Sequence, residues 1–185
     1  RYGMSETLMN ISNPYEGERR PGSVGKPLRG VLIRLVNPKT GEQVEAGEIG
    51  EVLIRGDNVF SGYHQQPKAN ATAFTEDGFF RSGDLAMCSD DGYYTLVGRR
   101  DDLIISGGFN IYPRQIEELL TEQPGVSEVA IVGEPDPSRG EVLAAYVKLQ
   151  KDSDLDDRKL RDICRENLAS FKIPRKFIFV EKLPR

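Results

Sequence analysis

The character of the chain changes near residue 100, and that change restricts it to a two-part α+β architecture. Upstream, Val31-Leu32-Ile33-Arg34-Leu35-Val36, the run Ile49 to Ile54 and Gly92-Tyr93-Tyr94-Thr95-Leu96-Val97 carry the Val, Ile and Tyr content that suits a pleated surface. Asn37, Pro38 and Gly41 supply a turn after the first run. Glycines at 22, 25, 30, 41, 47, 50, 56 and 62 predict short strands joined by tight turns, as in a small barrel or a folded sheet. Downstream, Leu103-Ile104-Ile105 predicts a short strand and Ser106-Gly107-Gly108 a turn. Pro113 to Glu122 reads as a helix, with Pro in its first turn, Ile116, Leu119 and Leu120 on one face, and Gln123-Pro124-Gly125 as its stop. Val126 to Val132, Val142 to Leu149 and Lys176 to Val180 predict strands, and Leu155 to Leu168 a helix with Leu160, Ile163 and Cys164 inward. The charged run Lys151 to Asp162 is a solvated helix start, with Ser153 or Asp154 as its cap. A boundary near Arg99 to Asp102 follows, separating a β-barrel-like portion from a compact two-layer α+β domain.

Several function classes drop out on composition. With 185 residues, 38% of them hydrophobic, there is material for one large domain or two small ones. No run approaches the roughly 18 uninterrupted apolar residues of a membrane helix, and no signal segment opens the chain, so a soluble cytoplasmic protein without membrane insertion is expected. Cys88 and Cys164 are far apart and lack a His cluster, which excludes a disulfide framework or a zinc site and predicts two reduced core thiols. A net charge of -4 with no long Lys/Arg run argues against nucleic acid as a partner, because phosphate binding needs concentrated positive charge. Because the sequence opens at Arg1 without Met and stops at Leu183-Pro184-Arg185, it reads as a fragment.

Four short motifs carry the chemistry. Tyr2-Gly3-Met4-Ser5-Glu6-Thr7 puts an aromatic ring, a flexible glycine, a hydroxyl and a carboxylate within six positions: a face for a base, a donor for a phosphate oxygen and a hard oxygen ligand for Mg²⁺. The same residues also fit an ordinary turn. Arg81-Ser82-Gly83-Asp84 places an Asp on a glycine turn after an apolar run, where two acceptor oxygens can take two adjacent ribose hydroxyls or, equally, bond their own backbone. In Gly98-Arg99-Arg100-Asp101-Asp102, Arg99 can grip a ribose or phosphate oxygen and Asp101 can absorb a backbone rotation at the boundary, although a charged linker has the same composition. Ser106-Gly107-Gly108-Phe109-Asn110, between strand and helix, lets a slender ligand pass close to backbone, or simply turns the chain. His64 follows Ser61-Gly62-Tyr63 with no nucleophile nearby in sequence, and is read as structural.

In this order the motifs Tyr-Gly-Met-Ser-Glu, Ser-Gly-Asp-Leu, Gly-Arg-Arg-Asp-Asp and Ser-Gly-Gly-Phe-Asn-Ile-Tyr-Pro-Arg-Gln-Ile-Glu, spread over residues 2 to 118, resemble the superfamily of acyl-CoA synthetases, peptide-synthetase adenylation domains and luciferases. The likeness continues through Phe171-Lys172-Ile173-Pro174 to Leu183-Pro184-Arg185. It implies the C-terminal portion of an adenylate-forming fold: residues 1–99 from the end of a large N-terminal domain, and residues 100–185 a small mobile domain. ATP, Mg²⁺ and CoA are the implied cofactors. Tyr2 would stack on adenine, Gly3 would share the nucleotide side, Ser5 would contact phosphate in place of the usual Thr, and Glu6 would hold Mg²⁺. Asp84 and Arg99 would bind the ribose, Asp101 would be the hinge, and Gly107 and Gly108 would line the pantetheine path.

The resemblance places the phosphate loop before the first residue here and the adenylation lysine past Arg185, so this fragment alone is expected to lack full activity. The stretch Arg1 to Arg20 looks most like malonyl-CoA synthetases. There the residue before the stacking Tyr borders the acyl pocket, so Arg1, with Met4, would face the acid, and the Arg1 guanidinium could pair with the second carboxylate of a small dicarboxylic acid or, alternatively, point to solvent. The implied activity is ATP-dependent ligation of such an acid to CoA. An adenylation domain loading a carrier protein and a non-catalytic nucleotide- or partner-binding module remain the alternatives.

Overall fold

The computed structural model describes residues 1–183, so the Pro184-Arg185 end of the last motif lies outside the described residues. The chain divides into two compact units, Arg1–Asp101 and Asp102–Arg185.

The first unit begins with a three-stranded antiparallel sheet of β1 (Tyr2–Met4), β2 (Leu8–Ser12) and β3 (Lys26–Pro27). A four-stranded antiparallel sheet follows, in the order β4 (Leu32–Val36), β5 (Ile49–Arg55), β6 (Phe80–Cys88) and β7 (Tyr94–Arg99), with the short helix α1 (Pro67–Ala73) inserted before β6. Gly25 pairs with Tyr94, which links the edge of the small sheet to β7. Both sheets are open and no closed barrel forms among the described residues, so the expected barrel-like portion takes the form of two joined sheets. One face of β5, with Val52 and Ile54, packs in a core with Tyr2, Ile11, Val31, Leu35 and Ala86. Its other face puts Leu53 against Val36 and Phe79.

The second unit starts with β8 (Ile104–Ser106) and β9 (Phe109–Ile111) and continues through α2 (Pro113–Thr121), β10 (Val126–Asp136), β11 (Gly140–Leu149), α3 (Asp157–Asn167) and β12 (Lys176–Phe179). β11 is central: it pairs antiparallel with β10 and β8, and parallel with β12. Ile116 and Leu120 of α2 and Leu160 and Cys164 of α3 are buried with Ile131, Leu143, Ala145 and Val147. Their spacing of four is the reason these two segments are helical, since it sets one stripe against a sheet. The whole chain is therefore α+β, as expected.

Three local expectations need correction. The turn expected at Ser106-Gly107-Gly108 is present, but an unforeseen strand, β9, follows it before the helix, so the segment closes a hairpin in which Ser106 pairs with Phe109. Its two central residues have φ of 56° and 85°, the left-handed values that a two-residue hairpin turn requires and that glycine supplies without strain. The cap of α3 is Asp156, whose side chain accepts from the Lys159 amide at 2.8 Å, rather than Ser153 or Asp154. Arg81-Ser82-Gly83-Asp84 lies within β6 rather than in a turn. Of the two thiols, Cys164 is buried and Cys88 half-buried, and both are free.

Candidate functional site

The most distinctive polar geometry of the first unit grows from an irregularity in β6. Leu53 pairs with Arg81 and Glu51 with Leu85, so Val52 alone on β5 faces Ser82, Gly83 and Asp84 on β6. Such a bulge bends its strand and re-aims a side chain. Gly83 takes φ 72°, which a glycine tolerates, and the Ser82 hydroxyl donates to the Val52 carbonyl at 2.8 Å while accepting from the Asp84 amide at 3.1 Å. Asp84, buried, is thereby held at a fixed point. The Tyr2 phenol donates to its Oδ2 at 2.6 Å, and Arg99 Nη1, on the paired position of β7, donates to Oδ1 at 3.0 Å. Three predicted residues thus meet, with Tyr2 and Asp84 82 positions apart in sequence. Tyr2 is 6% exposed, and burial, then the bond to Asp84, pushes its phenol well above the usual tyrosine range. Each Asp84 oxygen has two lone pairs, so one acceptor position per oxygen remains after these two bonds.

Ser5, Glu6 and Thr7 form the turn between β1 and β2, closed by the Thr7 amide donating to the Met4 carbonyl at 3.2 Å. Buried Thr7 and Asn10 anchor it: Asn10 donates to the Thr7 hydroxyl at 2.6 Å, and Asn58 donates to the Asn10 side chain at 3.0 Å. Ser5 is exposed and Glu6 half-buried. Glu6 Oε1 accepts from the Tyr63 phenol at 3.1 Å, and the Glu6 carbonyl accepts from the Phe60 amide at 2.8 Å. Met4 packs at the margin of the first core, and Arg1 is exposed. Gly3 is dictated by a close approach, because a Cβ there would sit 2.1 Å from the Leu8 carbonyl oxygen.

Asp101 ends the first unit, exposed, with Arg100 Nε donating to it at 3.2 Å. Gly107 and Gly108 belong to the second unit. His64 is exposed. Two residues of interest escaped the sequence reading. Tyr63 was passed over for its neighbour His64, although an aromatic after Ser61-Gly62 was the available signal. Glu51 was hidden inside an apolar strand, where being the one charged residue of the run was itself the signal.

These two units have the architecture of the C-terminal part of an adenylate-forming enzyme. The family described as AMP-binding enzyme matches residues 1–64, and its companion, the AMP-binding enzyme C-terminal domain, matches residues 115–185. The chain belongs to the AMP-binding enzyme family. Among solved structures, ATP-bound MatB from Rhodopseudomonas palustris is 45% identical with a TM-score of 0.93, covering 100% of this chain and 37% of its own. The sulfoacetate–CoA ligase of Cupriavidus necator is 42% identical over 99% of this chain and 36% of its own length. A mitochondrial malonate–CoA ligase of Bos taurus is 37% identical, covering 100% of this chain and 35% of the ligase. The chain thus spans little more than a third of the length of these relatives. No helix among the described residues is long and apolar enough to cross a membrane.

Proposed function

We propose that this chain is part of an acid–thiol ligase that uses ATP to convert a carboxylate into an acyl adenylate and then passes the acyl group to CoA. The observation that carries the reading is the Tyr2–Asp84–Arg99 cluster, built on a strand bulge in the same unit as the Ser5-Glu6 turn. Asp84 offers its two remaining acceptor positions to a pair of vicinal ribose hydroxyls, and the Arg99 guanidinium, bonded to Asp84 Oδ1, lies beside them. Tyr2 borders the base and locks Asp84, while Gly3 keeps the turn close to β2. Ser5, exposed on that turn, donates to a phosphate oxygen.

Glu6 suits Mg²⁺ by its chemistry: it is a lone hard-oxygen ligand, and no cluster of three or more metal-ligating side chains occurs among the described residues. Mg²⁺ is commonly held by one or two carboxylates together with nucleotide phosphates, and Tyr63 restrains the Glu6 carboxylate for that purpose. When bound, the ion offsets phosphate charge as pyrophosphate departs. Adenylation joins a substrate carboxylate oxygen to the α-phosphorus and releases pyrophosphate; thiolysis then forms the C–S bond and releases AMP. We assign Asp101 as the pivot that lets the small unit serve both steps, residues 1–99 and 100–185 as the two domain portions, and Gly107 and Gly108 as the path for the thiol arm.

The acid is taken to be small and to carry a second anionic group, malonate above all. Arg1 and Met4 are its expected neighbours, since a guanidinium suits a second anionic group better than an alkyl chain. That the similar ligases named above act on sulfoacetate and malonate, each with a second acidic group, supports this choice.

The test is pyrophosphate release by the full-length protein over a panel of mono- and dicarboxylic acids, with and without CoA. Release stimulated by malonate or methylmalonate, with CoA thioester as product, is the expected result. Stimulation by uncharged acids alone would reject the role of Arg1, and no release with any acid would reject the ligase. In the same assay Asp84→Ala should raise the ATP concentration for half-maximal rate by roughly tenfold or more, the equivalent of losing hydrogen bonds to a charged acceptor. An unchanged ATP requirement would leave Asp84 a purely structural residue.

A further inference from the structure

Glu51 is an acid with no part in the chemistry above, and it sits on the central strand β5 with no exposed surface. A buried carboxylate is costly unless paired, so its partners disclose what it is for. Arg100 Nη1 donates to Oε1 at 3.3 Å. Oε2 has no hydrogen-bond partner among the described residues; Arg81 Nη1 lies 3.6 Å from it, a coulombic contact beyond hydrogen-bond range. Glu51 is therefore committed to Arg100 by a directed bond and to Arg81 by charge alone.

Arg100 is held from three sides. Its amide donates to the Gly83 carbonyl at 2.8 Å, which ties it to the bulge that carries Asp84. One end of its guanidinium reaches buried Glu51 and the Nε reaches Asp101. The planar fork of arginine sends donors from separate nitrogens to the two carboxylates, whereas a lysine presents all of its donors from one nitrogen. We infer that Glu51 is a positioning residue that, through Arg100, anchors the first-unit end of the Asp101 pivot. Rotation is then confined to bonds beyond Arg100, and the ribose-facing bulge stays in place while the pivot turns. The inference rests on the proposed role of Asp101, and on the observation that the anchor is buried while the pivot residue is exposed.

The experiment uses the full-length enzyme with Glu51→Gln, which keeps volume and one acceptor oxygen but removes the charge, and Arg100→Lys, which keeps the charge but removes the fork. Arg100 is partly exposed, so the second variant tests the tether even if the first folds poorly. Backbone amide exchange over residues 100–102 should quicken roughly tenfold in both variants, as expected for loss of a charged hydrogen bond, with peptides from β4 and β5 unchanged. The ratio of the adenylation rate to the thioester-forming rate should change by about the same factor, with the ATP KM held. Exchange that quickens evenly across the four-stranded sheet, or not at all, with that ratio unaltered, would overturn the inference and make Glu51 a structural ion-pair partner. Asp101→Pro, run alongside, separates the two ideas: equal loss of both half-reactions there removes the pivot, whereas unchanged exchange at 100–102 in the Glu51 and Arg100 variants removes the anchor.

Discussion

Gly3 and Asp84 show how far a single residue type carries information. A glycine in the first motif suggested flexibility, but the structure gives it a steric reason: the Leu8 carbonyl oxygen would lie 2.1 Å from an added methyl carbon. Gly3→Ala should therefore cost roughly 1–3 kcal/mol, the usual range for forcing extra volume into a packed site, read as a lower urea midpoint. An unchanged midpoint would mean that the β1–β2 turn relaxes freely. Asp84 was legible as a candidate because a carboxylate beside glycine is an unusual interruption of an apolar run. Its partners were not legible. Asp84 lies 82 positions from Tyr2 with no periodicity that would pair them, and Glu51 with Arg100 is hidden in the same way.

At the scale of elements, periodicity performed well where one face is buried and poorly where the chain breaks its own pattern. β4, β5, β10, β11 and α2 lie within a few residues of their predicted limits, because runs rich in Val and Ile mark the strands and a spacing of four marks the helix. β6 was missed because Gly83 and the bulge interrupt its alternation, and β9 because two glycines hid a hairpin. The cap of α3 was misassigned among neighbouring Ser and Asp residues; the register that turns Leu160 and Cys164 into the core makes Asp156 the first residue outside the helix. Cys164 yields a pH prediction. Burial pushes its thiol from an ordinary value near 9 up to about 11. Between those values the folded chain keeps a proton that the unfolded chain has lost, so stability is intact below pH 9 and declines as pH rises toward 11, by up to about 3 kcal/mol from this group. Cys164→Ala should show a shallower decline over that window in urea titrations, and a parallel decline would contradict it. At pH 9.5 the native thiol should also resist iodoacetamide until the second unit unfolds.

For the whole molecule, the prediction concerns Asp101. Proline there fixes φ near -65° and so restricts a backbone rotation without touching any catalytic side chain. In the full-length enzyme Asp101→Pro should impair one half-reaction far more than the other, measured as pyrophosphate release against thioester formation from preformed adenylate; equal losses would remove the pivot. The sequence by itself determined the α+β class, the family, most of the elements and the shortlist of candidate site residues. These depend on side-chain type and on spacing within about one element, and both can be read along the chain. Tertiary structure alone decided which of those residues meet: the register of β6 on β5 and β7, the bulge that aims Asp84 at Tyr2 and Arg99, and the burial of Glu51 beneath Arg100. Such contacts join residues far apart in sequence, and their geometry is set by packing and strand pairing that no local pattern encodes.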